Sequence, residues 1–228
     1  KGFDFDWKSI IKELYRVTKN GGVVVWVVGD ATIKGSETGT SFKQALHAID
    51  CGFRLHDTMI WDKKSFTAVG SLKTRYAPVF EYMFVLTKGK IKTFNPIVDR
   101  INKTFMERGD YKNCGTMRQK NGEMKQKTNK SKNKKYGQRF NIWHIAPYTG
   151  GNVKVRIKHP AIFPEKLAND HIISWSNEGD IVYDCFGGSG TTAKMSKILN
   201  RKWIVSEVSK EYCDIIKERL SEVGTLFN

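Results

Sequence analysis

Apolar positions 7, 10, 11, 14 and 17 recur at three- and four-residue steps, which places Trp7, Ile10, Ile11, Leu14 and Val17 on one helical face. Asn20-Gly21-Gly22 stops that helix, because glycine accepts the left-handed conformation a helix end needs. Residues 23–28 then run Val-Val-Val-Trp-Val-Val. An unbroken β-branched run of this kind predicts a strand buried on both faces, as in a parallel sheet, with Gly29-Asp30 at its carboxyl edge. A second helix is predicted from Ser41 as its cap, with Phe42, Ala45, Leu46 and Ile49 turned inward and Gly52 as its stop. Residues 54–61 and 79–86 are rich in β-formers and predict two extended segments, the second ended by Lys88-Gly89. A helix, a strand, a helix and then a strand pair point to an open α/β sheet with a late antiparallel hairpin.

The pattern changes near residue 99. From 99 to 140 the chain carries 13 Lys or Arg against four acids, and Asn, Gly, Gln, Ser and Thr fill the gaps between few apolar residues. Such a segment lacks the apolar surface to order itself fully. Apolar order resumes at 140–145. A helix follows from Glu165, with Pro164 suited to its start. Residues 180–184 form a short strand, 185–192 a glycine-rich turn, 192–199 a helix and 203–207 a second strand ending in Glu207. Tyr212, Ile215, Ile216 and Leu220 then mark one face of a last helix over 210–220.

Composition narrows the function. At 228 residues the chain suits one α/β domain with an insertion. The net charge of +16 and a pI near 9.7 make a polyanion the leading partner, and the run at 99–140 supplies +9 of that charge. Mean hydropathy is −0.47, and no run approaches the roughly 18 apolar residues of a membrane helix. No basic-then-apolar leader is visible, so a cytoplasmic protein is expected rather than a secreted one. Cysteines at 51, 114, 185 and 213 form no C-x-x-C pair and fit a reducing compartment. The five histidines show no metal-ligand spacing, so no metal is expected.

The strand, glycine-rich turn and helix at 180–199 could in principle hold three ligands. A P-loop needs lysine after its last glycine, and Thr191 follows Gly190, which removes that reading. Gly188-Ser-Gly190-Thr-Thr-Ala193 satisfies a dinucleotide fingerprint, with Glu207 placed to accept from ribose hydroxyls. That fold, however, needs its fingerprint on the first strand, with several further βα units behind it. The third reading is a resemblance. Asp184-Cys-Phe-Gly-Gly-Ser-Gly-Thr-Thr192 resembles the S-adenosylmethionine loop of the amino-group DNA methyltransferases, D-x-F-x-G-S-G-T-T. His159-Pro-Ala-Ile-Phe-Pro-Glu-Lys-Leu167 resembles the segment just upstream of that loop in the family's permuted, β-type branch. Residues 21–30, 61–63 and 80–88 look like that branch's fifth strand and its hairpin.

The resemblance covers nearly the whole chain outside residues 95–140. It implies a three-layer, Rossmann-like, circularly permuted α/β fold and S-adenosyl-L-methionine as cofactor. It divides the chain into residues 1–94 as part of the catalytic sheet, 95–140 as a basic target-recognition insertion and 141–228 as the cofactor-binding part. The implied cofactor residues are His159, Pro160, Phe163, Asp184, Phe186, Gly187, Gly188, Gly190, Thr191 and Glu207. The implied activity is methyl transfer to the exocyclic amine of a flipped base in double-stranded DNA, adenine N6 before cytosine N4. It also allows a homodimer and a cognate restriction endonuclease as partners.

One family feature is missing. The catalytic signature, an Asp, Asn or Ser before Pro-Pro-Tyr or Pro-Pro-Phe, is absent, because prolines stand only at 78, 96, 147, 160 and 164. The strand bearing it belongs between the strands at 180–184 and 23–28. The expectation is therefore a longer protein whose N-terminal part carries strands three and four with the catalytic loop, the catalytic residues being unknown within these 228. An inactive nucleic-acid-binding relative and an RNA methyltransferase are the alternatives, with a nicotinamide oxidoreductase further off.

Overall fold

The computed structural model describes residues 5–65, 74–108, 116–126, 134–147 and 163–224. Helix α1 (Trp7–Val17) is capped by the Asp6 carboxylate, which accepts from the Ser9 amide. Strand β1 (Val23–Val28), the short β2 (Thr32–Ile33) and β3 (Ser36–Glu37), and helix α2 (Thr40–Asp50) follow. Next come the long strands β4 (Arg54–Asp62) and β5 (Phe80–Thr87). Residues 96–140 contain β6 (Arg100–Ile101), α3 (Lys103–Arg108), β7 (Thr116–Arg118), β8 (Met124–Gln126) and β9 (Tyr136–Gly137). The chain closes with β10 (Ile142–His144), α4 (Glu165–Trp175), β11 (Ile181–Asp184), α5 (Thr191–Ile198), β12 (Lys202–Val205) and α6 (Lys210–Gly224).

The chain divides into two compact units. In the larger, Lys1–Asn95 with Asn141–Asn228, four strands pair in the order β1-β5-β4-β10. The β1–β5 and β5–β4 ladders are antiparallel and β4–β10 is parallel. β11 and β12 form a separate parallel pair. No ladder joins β1 to β11 among the described residues; side chains connect them instead. Lys19 just before β1 bonds Asp180 just before β11 at 3.1 Å. At the other end, the Phe186 ring meets Trp26 at 5.9 Å and Phe5 at 5.5 Å.

The core of this unit joins α1, α2 and the sheet through Ile11, Leu14, Trp26, Ala45, Ala48, Phe53, Phe84 and Leu86. Each large side chain buried there contributes about 1.5–3 kcal/mol. Two expectations fail here. β1 is not buried on both faces in parallel company. Among the described residues its one ladder is antiparallel, to β5, and within the strand only Trp26 is buried. A valine run does not create its own cover; that comes from neighbouring strands. In α2, Phe42, Leu46 and Ile49 are 52%, 62% and 41% exposed, and Ser41, Gln44, Ala45 and Ala48 face inward. Two polar anchors set this rotation. The Trp26 indole donates to Gln44 Oε1 at 2.7 Å, and the Asp30 carboxylate accepts from the Ser41 amide and hydroxyl. Ser41 is accordingly not the cap: Gly39, at φ 60°, holds that position.

The smaller unit, Pro96–Phe140, pairs β6 with β9 and β7 with β8, both antiparallel. Arg139 ion-pairs with Asp99, and the Arg100 guanidinium lies 4.4 Å from the Phe140 ring centre. Much of the lysine run lies outside the described residues.

Candidate functional site

In an open parallel sheet, ligands bind beyond the carboxyl ends of the strands. At that edge of β11 and β12 the chain folds back on itself tightly. The Asp184 backbone carbonyl accepts from the Ser206 amide at 2.9 Å, and Gly187 donates to the Ser206 carbonyl at 2.8 Å. A Cβ on Gly187 would stand 2.2 Å from Val205 Cγ1, so the approach requires glycine. Gly190, at φ 78°, starts α5, and a Cβ there would meet Ile216 Cγ1 at 2.8 Å. The Asp184 side chain accepts from the Phe186 amide at 2.9 Å, which closes the first bend of the loop.

Glu207 stands two residues beyond β12, not at its last residue. Its Oε2 accepts from the Gly188 amide at 2.7 Å and its Oε1 from the Ser209 amide at 2.8 Å. Each carboxylate oxygen can accept again, so the group is a fixed acceptor with capacity left for a ligand's hydroxyls. Phe186 is half exposed and Val208 fully so, giving two apolar surfaces on either side of the glycines in sequence. Burial, then the Asp184 charge, pushes the Cys185 thiol up to about 12, so it is neutral and no nucleophile.

Asp184, Phe186, Gly187, Gly188, Gly190, Thr191 and Glu207 thus come together. Thr191 is buried and faces away from solvent, toward Arg219. The Phe163 ring lies 6.0 Å from Trp61 and packs against the Ala168, Ile172 and Met195 cluster. His159 and Pro160 lie outside the described residues. Among the described residues no group of three or more His, Cys, Asp or Glu could hold a metal, and no helix is long and apolar enough to cross a membrane.

The sequence reading misses a polar layer behind the loop. Arg219 of α6 is 7% exposed and donates to the Ser189 carbonyl at 2.6 Å and hydroxyl at 3.0 Å, and to Glu165 at 2.8 Å. Lys194 also bonds Glu165, at 2.7 Å. Burial pulls the Glu165 carboxyl upward, but Lys194 and Arg219 outweigh it and hold it below the ordinary carboxylate range. The available signal was position 219 itself, which continues the buried α6 stripe three residues after Ile216.

A second polar group lies at the carboxyl ends of β1 and β4. Lys63 ion-pairs with Glu81, whose Cγ rests against Gly29, and His144 pairs with Asp62. Burial raises and hydrogen bonds from Ser41 and Thr38 lower the Asp30 carboxyl, and the bonds prevail.

Comparison with known proteins agrees with this architecture. A family model described as DNA methylase matches residues 2–218. An orphan methyltransferase, M.BamHII of Bacillus amyloliquefaciens, is 54% identical over 96% of this chain and 82% of its own length. The Type II methyltransferase M.HpaI of Haemophilus parainfluenzae is 31% identical over 96% of this chain, which spans only 58% of that relative. Among solved structures, the M1.HpyAVI–SAM complex superposes with a TM-score of 0.60 at 21% identity, over 96% of this chain and 85% of that one. The fold is the α/β, Rossmann-like fold of such methyltransferases.

Proposed function

Since this chain belongs to the N6/N4 DNA methylase family, we propose that it binds S-adenosyl-L-methionine on the 184–191 loop and serves methyl transfer to an exocyclic amine in double-stranded DNA. Adenine N6 is preferred over cytosine N4. The carrying observation is the Glu207 carboxylate, locked between the Gly188 and Ser209 amides at the mouth of the loop.

The residues present fit the cofactor. Glu207 supplies the acceptor that two ribose hydroxyls need. The half-exposed Phe186 ring and the Val208 side chain offer apolar surface for an adenine. His159, Pro160 and Phe163 would take the methionine end. S-adenosylmethionine, when bound, supplies an electrophilic methyl group. The chain's part is to hold that group still and dry, since positioning lowers the barrier by several kcal/mol. The target amine also needs an acceptor, and no Pro-Pro motif occurs in these 228 residues. We propose that a strand carrying that motif sits between β1 and β11, which no ladder joins among the described residues. The unit at Pro96–Phe140 is the proposed target-recognition region, its basic side chains taking DNA phosphates. A flipped base, a cytoplasmic setting, a homodimer and a cognate endonuclease are further elements of this reading.

Titrating the chain calorimetrically with S-adenosylmethionine, with NAD as control, tests the proposal. Binding of the first alone is expected; binding of NAD alone, or of neither, overturns the cofactor assignment. The absent Pro-Pro motif favours one second reading, a methyltransferase-like protein that binds DNA without methylating it. Labelled methyl transfer to duplex DNA, with a Pro-Pro-bearing strand of the family supplied ahead of the chain, separates the two.

A further inference from the structure

Arg219 occupies a position that α6 otherwise gives to apolar residues. Ile216, Leu220 and Val223 share its buried face. A leucine there would bury at less desolvation cost than a guanidinium. What the guanidinium adds is geometry. Gly188 at φ 50° and Gly190 at φ 78° give the loop freedom that other residues lack, and that freedom must be removed for a ligand to find a formed site. The Ser189–Gly190 peptide is held at both ends of its plane: its carbonyl accepts from Arg219 Nη1 at 2.6 Å, and its amide donates to the Gly187 carbonyl at 2.7 Å. From the same side Ile216 fills the space that side chains at 187 and 190 would need.

The second arm of the guanidinium reaches elsewhere. Nη2 bonds Glu165, 54 residues away in sequence, at the first turn of α4. Glu165 opens α4 directly after its cap, Pro164. Lys194 on α5 bonds the same carboxylate. One buried group therefore ties the glycine loop to the first turn of α4.

We propose that Arg219 is a positioning residue which, through Ser189 and Glu165, sets the glycine loop and the start of α4 in register, so that the cofactor meets a pre-formed site. This rests on the cofactor reading above.

The test is calorimetric titration of S-adenosylmethionine into wild type, Arg219→Lys, Arg219→Gln, Glu165→Gln and the double variant, each well below its melting transition. Hydrogen exchange at the Gly188 and Gly190 amides is followed in parallel. Arg219→Gln is expected to weaken binding about 100-fold and Arg219→Lys about tenfold, because an ammonium replaces one bond of the fork but not both. Glu165→Gln is expected to weaken it roughly threefold to tenfold. The double variant should lose less than the product of the single losses, since both act through one connection. Protection at Gly188 and Gly190 should fall in step. If Arg219→Gln does not fold, Arg219→Lys and Glu165→Gln decide. Lowered melting temperatures with unchanged affinity in the folded variants would overturn the proposal and make Arg219 purely structural. Failure of wild type to bind is a different result: it removes the cofactor reading itself.

Discussion

In β1 five of six residues are valine and only Trp26 is buried, whereas in its neighbour β5 Met83 through Thr87 are buried without a break. β5 contains Glu, Tyr and Thr and is the less apolar strand by composition. It is covered because β1 and β4 ladder both its edges. Among the described residues β1 has one ladder, and Lys19–Asp180, the rings around Phe186 and Cys185 link its neighbourhood to β11. Composition sets what a strand can bury; its neighbours set what it does bury.

The sharpest way to probe that contrast is truncation on both strands. Leu86→Ala in β5 is expected to cost about 2–5 kcal/mol in urea unfolding, while Val24→Ala in the half-covered β1 costs nearer 1 kcal/mol. Equal costs would mean that β1 is packed as firmly as β5. Gln44→Leu removes the buried acceptor of Trp26 and is expected to cost about 1–3 kcal/mol, with α2 losing its fixed rotation in near-ultraviolet dichroism. An unchanged spectrum and stability would show that the small-residue face alone orients α2.

Acid acts on the unladdered side. The Asn177 amide and then Lys19 hold the Asp180 carboxyl below its ordinary 3.8. A group depressed in the folded state stabilises fully above its unfolded value and loses that contribution as pH falls through the folded one. Stability should therefore drop below about pH 4, and Asp180→Asn should flatten part of that limb, by well under 1 kcal/mol for so exposed a pair. Thermal melts across pH 2–6 measure it. The smallest expected effect is on the outer face of α2: Leu46→Ser should stay within roughly 0.5 kcal/mol, because that side chain is largely solvated already.

Some of this was legible in the sequence and some was not, for physical reasons. The glycine loop is legible because close backbone approach leaves few residue choices, and those choices recur as a pattern at 184–192. α1 is legible because Ile11 and Leu14 obey helical spacing and are buried. α2 reads wrongly because apolar size and inward direction are different properties: Trp26 and Asp30, distant in sequence, choose the face. The role of Arg219 is hidden for a related reason, although its place on the stripe is legible. Its partners Ser189 and Glu165 lie 30 and 54 residues away, and a charge on an apolar stripe reads as an interruption until the fold brings its acceptors close.

The neutral thiol of Cys185 carries a practical consequence. With its pKa pushed up to about 12 by burial and then by Asp184, the thiol keeps its proton at neutral pH. Alkylating reagents, which need that thiolate, must wait for the bend to unlatch and release the sulfur from its apolar surroundings. The labelling rate at this single atom becomes a clock for loop opening, readable by mass spectrometry without introducing any probe.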